Sequence, residues 1–339
     1  MIYQGDVRDV LSTLDAESVQ CVITSPPYWG LRDYGTASWE GGDRECAHKV
    51  GRFTSPVSTK QLSNAGSGER QAVGVCPHCG ARRIDNQIGL EPTPDAYVQT
   101  LVAVFREIKR VLRDDGTVWL NLGDSFGAKQ LLGIPWRVAF TLQADGWYLR
   151  SDIIWAKGVS FCPSYSGSVM PESVTDRPTK SHEYLFLLTK SPRYYYDADA
   201  VRENWADDRN GAANGQNWDR PETQTASPRR PQLAPKTTGR NLRSVWTINP
   251  QPYREAHFAT FPTALVEPCV KAGSAKGDLV LDPFAGSGTV GCVALKLGRT
   301  FVGIELNPDY CTMANESIHG PLFSVGQEHW PESPYKQDA

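Results

Sequence analysis

The chain has 339 residues, 40% of them hydrophobic and 22% charged, with a formal net charge of −3. That composition is ordinary for a globular protein, and the length suits one large α/β domain with insertions or two modest domains. No apolar run is long enough to span a bilayer. The opening MIYQGDVRDV lacks the basic and apolar regions of a signal peptide, so a cytoplasmic protein is expected. Eight cysteines in a chain of this length do not suggest a disulfide framework.

In chain order, Met1–Gln4 reads as a short strand, and Val7, Val10, Leu11 and Leu14 recur at helical spacing. Val19–Thr24 is a β-branched run that stops at Ser25-Pro26-Pro27-Tyr28, because two prolines cannot continue a buried ladder. Residues 43–84 change character and read as an insertion carrying Cys46, His48, Cys76, His78 and Cys79. Thr93 as N-cap and Pro94 at the first position open a helix whose apolar face runs from Tyr97 to Leu112, with Gly116 as its expected stop. A strand at Thr117–Leu122, a helix near Pro135–Ala144 and a strand at Tyr148–Trp155 follow. From 158 to 245 the pattern loosens into long loops. Pro262–Ala272 then reads as a helix, Leu279–Leu281 as a strand, Gly288–Leu297 as a helix and Thr300–Ile304 as a strand. Alternating strands and helices at both ends predict a mostly parallel sheet flanked by helices.

Leu279 to Gly291 is strand, glycine turn and helix, and Gly286, Gly288 and Gly291 match G-x-G-x-x-G. Glu305 follows Gly286 by 19 residues, at the end of the next strand. Such a pattern places an adenosine-containing ligand across the strand ends, with the acid accepting bonds from ribose hydroxyls. Only 34 residues follow Glu305, too few for the further strand–helix units of a nicotinamide fold, so the remaining strands are expected from upstream. No Lys follows the glycines, which excludes a P-loop.

With Asp282-Pro-Phe-Ala-Gly-Ser-Gly-Thr289, Phe301-Val-Gly-Ile-Glu305 and Thr24-Ser-Pro-Pro-Tyr28, the chain resembles the β class of amino-DNA methyltransferases, in which the catalytic motif precedes the cofactor motif. The resemblance covers about residues 1–40, 88–157 and 246–316. It implies a Rossmann-like fold that binds S-adenosylmethionine. The implied cofactor residues are Asp6, Thr24, Phe261, Pro262, Asp282, Pro283, Phe284, Ala285, Gly286, Ser287, Gly288, Thr289 and Glu305. Asp6 is equally readable as a helix N-cap. His257-Phe-Ala-Thr-Phe261-Pro262 is implied to close around the methionine part of the cofactor.

An exocyclic amine is a poor nucleophile because its lone pair is delocalised into the ring. Acceptors aimed at its two N–H bonds favour the tetrahedral, positively charged state of transfer. Ser25 Oγ and the Pro26 carbonyl are the expected acceptors, Pro26 and Pro27 restrict the loop, and Tyr28 offers a flat face to an extruded base. Ser before Pro-Pro-Tyr leans in this family toward N4 of cytosine, with N6 of adenine as the alternative. Trp29 reads equally as part of that platform or as core. C5 methylation needs a thiolate next to proline; Pro268-Cys269 falls inside an apolar helical stretch, where packing is the better reading.

Cys46, His48, Cys76 and Cys79 form C-x-H and C-x-x-C pairs that suit one structural tetrahedral zinc, with His78 as an alternative ligand. Arg229, Arg230, Lys236, Arg240 and Arg243 make an acid-free basic stretch that is expected to contact DNA. The expected organisation is a catalytic domain from 1–42, 85–157 and 246–320, the cysteine insertion at 43–84, a target-recognition region at 158–245 and a tail at 321–339. Duplex DNA is the expected partner, and a homodimer and a cognate restriction endonuclease are compatible with it. The rival from another class is a zinc-dependent DNA-binding regulator with an inert core.

Overall fold

The computed structural model describes residues 1–48, 75–162, 165–169, 171–203, 239–250 and 261–319. The chain opens with β1 (Ile2–Gln4), α1 (Val7–Thr13) and β2 (Val19–Thr24). A small antiparallel hairpin joins β3 (Ser38–Glu40) to β4 (Arg82–Ile84). Next come α2 (Pro94–Val111), the long β5 (Leu112–Leu122), the short pair β6 (Phe126–Gly127) and β7 (Gln130–Leu131), and α3 (Ile134–Ala144). β8 (Tyr148–Ala156), β9 (His182–Thr189) and β10 (Val245–Thr247) follow. The described chain closes with α4 (Thr263–Gly273), β11 (Leu279–Asp282), α5 (Thr289–Lys296), β12 (Thr300–Glu305) and α6 (Pro308–His319). Among the described residues no helix is long and apolar enough to cross a membrane.

Eight strands form one sheet in the order β1-β12-β11-β2-β5-β9-β8-β10. All neighbours run parallel except β9, which is antiparallel to both β5 and β8. Both faces are covered, which is why the inner strands read as nearly continuous apolar runs. Period-two alternation sorts their side chains. Val22, Val118 and Leu120 face the core made with α1, α2 and α3, whereas Cys21, Ile23 and Trp119 face the one made with α4 and α5.

α2 forms where its signals place it. Thr93 accepts from the Ala96 N–H at 3.1 Å, Pro94 sits in the first turn, and Tyr97, Leu101, Val104, Phe105, Ile108 and Val111 are buried. Its end differs from expectation. Leu112 already has extended backbone, and Gly116 lies within β5 rather than stopping the helix. A Cβ at Gly116 would come within 2.7 Å of the Leu112 side chain and 3.0 Å of the Gln20 carbonyl. Glycine there serves the close approach of β5 to β2, whose pairing is irregular at this point.

Residues 158–245 also depart from the expected organisation. This region contributes β9, buried from Leu185 to Thr189, to the interior of the sheet, so it is not wholly a separate recognition unit. His-Glu-Tyr-Leu-Phe-Leu-Leu-Thr has neither β-branched enrichment nor alternation to announce a strand, because both of its faces are covered. The cysteine insertion likewise begins earlier than 43, since Ser38–Glu40 pairs with Arg82–Ile84.

Candidate active site

The parallel strands end together at one edge, and the two sequence motifs meet there. β11 pairs with β2, so Asp282 and Thr24 reach the ends of adjacent strands. The Thr24 hydroxyl donates to Asp282 Oδ1 at 2.8 Å, a buried bond across 258 residues of chain. Burial pushes the Asp282 carboxyl up to about 7, against the lowering effect of bonds from Thr24 and the Phe284 N–H.

After Asp282 the chain turns through Pro283, Phe284, Ala285, Gly286 and Ser287 into α5. Gly286 and Gly288 have φ of 50° and 81°, the left-handed region that glycine enters without steric cost. A Cβ at Gly286 would meet nothing within 4 Å, so its loop faces open space, whereas one at Gly291 would lie 2.5 Å from the Phe301 ring. The first glycine thus opens the turn and the third lets α5 pack on β12. Ser287 and Thr289 hydroxyls lie 3.4 Å apart at the helix entrance. Glu305 braces the loop: its Oε2 accepts from the Gly286 N–H at 2.9 Å and its Oε1 from the Asn307 N–H at 2.8 Å. Burial raises the Glu305 carboxyl above its ordinary range, and those two backbone donors oppose the shift.

Asp6 follows β1, whose Gln4 is level with Glu305. Its carboxylate caps α1, accepting from the Arg8 N–H at 2.8 Å and pairing with the Arg8 guanidinium at 2.6 Å. Burial raises the Asp6 carboxyl, and the Arg8 bonds outweigh it to leave a net lowering. The N-cap reading is therefore satisfied locally. Phe261 packs against the core and Pro262 is the N-cap residue of α4. Residues 257–260 lie outside the described residues.

Ser25-Pro26-Pro27-Tyr28 leaves the end of β2 as a loop held from several sides. The Tyr97 hydroxyl donates to the Pro27 carbonyl at 2.8 Å. Among the described residues none donates to the Pro26 carbonyl. Tyr28 is half-buried and packs closely over Gly123, where a Cβ would approach its ring to 2.6 Å. Trp29 is buried and donates to the Glu91 carbonyl at 2.8 Å, which makes it core rather than platform.

Three polar residues complete this loop, and sequence reasoning did not find them. Tyr28 Oη lies 2.7 Å from Glu183 Oε2 and 2.8 Å from Asn121 Oδ1, and Ser25 Oγ lies 3.3 Å from the same Asn121 oxygen. Asn121 is oriented by its amide N–H to the Tyr184 carbonyl, 3.0 Å. Lys157 forms an ion pair with Glu183 Oε1. Tyr28 has one proton for two acceptors, and the carboxylate is the stronger one. Ser25 Oγ, which lies 3.2 Å from Tyr28 Oη as well as 3.3 Å from Asn121 Oδ1, can then donate to the Asn121 oxygen, which turns its lone pairs away from the protein amide. The antiparallel direction of β9 explains why Glu183 was missed: its N-terminal end, not its C-terminal end, reaches the edge where Ser25 and Tyr28 lie. The available signal for Asn121 is a lone amide in the run Val-Trp-Leu-Asn-Leu.

Cys269 lies inside α4, is fully buried and donates to the Leu265 carbonyl at 3.2 Å, while burial pushes its thiol well above the ordinary range. It is a packing residue. Cys46, His48, Cys76 and Cys79 converge, with one ligand atom from each within 4.8 Å of all the others. Of the basic stretch, Arg229, Arg230 and Lys236 lie outside the described residues. Arg240 and Arg243 both pair with Glu203, at 2.7 and 2.9 Å, so the structure engages them as intramolecular ties, although the Arg243 side chain stays 67% exposed.

The model of the DNA methylase family matches residues 19–316. The Type II methyltransferase M.Cfr9I of Citrobacter freundii is 39% identical over 96% of this chain and 89% of its own length. M.SmaI of Serratia marcescens is 38% identical over 94% and 90%. Among solved structures, the PvuII DNA methyltransferase, described as cytosine-N4-specific, superposes with a TM-score of 0.59 at 16% identity, covering 94% of this chain and 85% of that one. A Thermus thermophilus protein solved in complex with S-adenosyl-L-methionine superposes with a TM-score of 0.52 at 21% identity, covering 94% and 96%.

Proposed function

The chain belongs to the DNA methylase family, an S-adenosylmethionine-dependent amino-methyltransferase family, and from that premise we propose that it methylates N4 of a cytosine flipped out of duplex DNA. The observation that carries the reading is the Thr24–Asp282 bond, which holds the end of the Ser-Pro-Pro-Tyr strand against the start of the glycine loop. A methyl donor and an amine acceptor would be brought to one point by that contact.

The residues present fit the cofactor. The Gly286 turn faces open space, the N-terminus of α5 follows it, and Glu305 retains acceptor capacity beyond its two backbone donors. When bound, S-adenosylmethionine supplies an electrophilic methyl group. Asp282 and Thr24 hold the two strand ends in register. Asp6, beside Glu305 at the neighbouring strand end, is assigned to the adenosine side, and Phe261 and Pro262 to the methionine side.

Ser25 Oγ and the Pro26 carbonyl accept from the two amine protons, favouring the geometry the nitrogen must adopt as it is methylated. Asn121 directs the Ser25 lone pairs and Glu183, held by Lys157, fixes Tyr28 as a face for the extruded base. Serine before Pro-Pro-Tyr supports cytosine over adenine. The names of the relatives support a role as the modification arm of a Type II restriction–modification system, with a cognate endonuclease as its counterpart. In this reading Arg243 and the preceding basic stretch face phosphates.

The test is incubation of the purified protein with methyl-labelled cofactor and duplex DNA, followed by nucleoside analysis. Label in N4-methylcytosine is expected. Label in N6-methyladenine would overturn the base assignment, and no transfer to any duplex that the protein binds would overturn the enzyme reading.

A further inference from the structure

We propose that Cys46, His48, Cys76 and Cys79 bind one zinc(II) ion as a closed structural site that clamps the base of the cysteine insertion. The four donors come from two segments separated by residues 49–75, and the fold brings them within 4.8 Å of one another.

The spacing between donors matches the ion. With Zn–S about 2.3 Å and Zn–N about 2.0–2.1 Å, a tetrahedral centre separates two sulfurs by about 3.8 Å and a sulfur from a nitrogen by about 3.6 Å. The Sγ atoms of Cys46 and Cys76 are 3.8 Å apart, and Cys79 Sγ lies 3.3 Å from His48 Nδ1. A disulfide would require about 2.0 Å, and the sulfur and nitrogen donors of the four residues instead lie within 4.8 Å of one another. His48, rather than His78, supplies the nitrogen.

The backbone is shaped around the cluster. Gly80, with φ of 74°, closes the Cys-Pro-His-Cys turn and donates to the Cys76 carbonyl at 2.9 Å. Gly42, with φ of 70°, passes so close that a Cβ would lie 2.8 Å from Cys79 Sγ. The His48 ring stacks on Trp39 of β3, with centroids 4.8 Å apart, and this fixes its orientation. Three thiolates and one imidazole are the donor set of a structural zinc, and with four protein ligands no position is left for a substrate.

The clamp also has an anchor. β4 carries Arg83, whose guanidinium pairs with Asp33 at 3.0 Å and Asp85 at 2.9 Å, and Gln87 accepts from the Tyr34 N–H at 2.7 Å. Asn307, two residues after Glu305, donates to the Tyr34 carbonyl at 3.2 Å. The metal-held hairpin is thereby seated on the catalytic domain.

Protein purified under reducing conditions without chelator should hold about one zinc per chain by elemental analysis. Cobalt(II) replacement should show thiolate-to-metal charge transfer and the ligand-field bands of a tetrahedral ion. Cys79→Ser should lose the metal, whereas Cys162→Ser, outside the cluster, should keep it. Because a variant can fail to fold, the wild-type protein is also stripped with chelator and followed by hydrogen exchange. Amides of residues 38–48 and 75–84 should then lose protection while β2 and β11 keep theirs. The proposal is overturned if reduced, folded protein binds neither zinc nor cobalt on titration, if Cys79→Ser retains full stoichiometry, or if stripping leaves exchange in the insertion unchanged.

Discussion

Replacing Glu305 with alanine tests the cofactor site most directly. A carboxylate offers about four lone-pair positions. Two are used by the Gly286 and Asn307 N–H groups at 2.9 and 2.8 Å, which leaves two for ribose hydroxyls. A hydrogen bond to a charged group contributes about 1.5–3 kcal/mol net. Losing one ribose bond of that kind should weaken S-adenosylmethionine binding by roughly 10- to 150-fold. Losing both, and loosening the Gly286 turn, should push the effect toward or beyond the upper end. S-adenosylhomocysteine carries the same ribose and should lose affinity by the same factor. Glu305→Gln should not rescue, because its amide nitrogen would turn N–H donors toward either Gly286 or Asn307. Titration calorimetry on the folded variants, with melting curves in parallel, gives the measurement. Unchanged affinity in a folded Glu305→Ala protein would refute the placement of the ribose on this acid.

Ser25→Ala should leave cofactor affinity nearly unchanged and slow single-turnover methylation by roughly 10²–10³-fold, the usual cost of one lost transition-state contact; normal turnover with weakened cofactor binding would remove Ser25 from the chemistry. Asp282 links to pH through stability. Its carboxyl is raised in the fold to about 7 from an ordinary 3.8, so its contribution is fully present below about pH 4 and is lost as pH rises through about 7. The three-unit shift corresponds to about 4 kcal/mol across that window. Asp282→Asn keeps an acceptor for Thr24 and should flatten the stability difference between pH 5 and pH 8, read by urea denaturation; an unchanged difference would show that another group carries it.

Much of the candidate site's backbone was readable from the chain because it is local. Two prolines end a strand wherever they stand, and Gly286 and Gly288 announce left-handed backbone without reference to anything distant. An acid at the end of the following strand, Glu305, comes with the same local unit. The donor types at Cys46, His48, Cys76 and Cys79 were equally visible, since spacing within each pair is a property of sequence.

Strand order was not local, and what depended on it was decided by the tertiary structure. That β2 and β11 are neighbours, so that Thr24 reaches Asp282, follows from packing across 258 residues and from no pattern in either segment. The strand His182–Thr189 escaped notice because burial on both faces erases alternation, and its reversed direction is what delivers Glu183 to Tyr28. Asp6 shows the converse: its carboxylate was legible as a cap, and in the fold it accepts from the Arg8 N–H and pairs with the Arg8 guanidinium at the start of α1. Residue type and near spacing determine which groups can do chemistry, whereas closure of the chain over long distances determines which of them share a point in space, because loop-closure entropy is recovered only when the whole sheet is assembled.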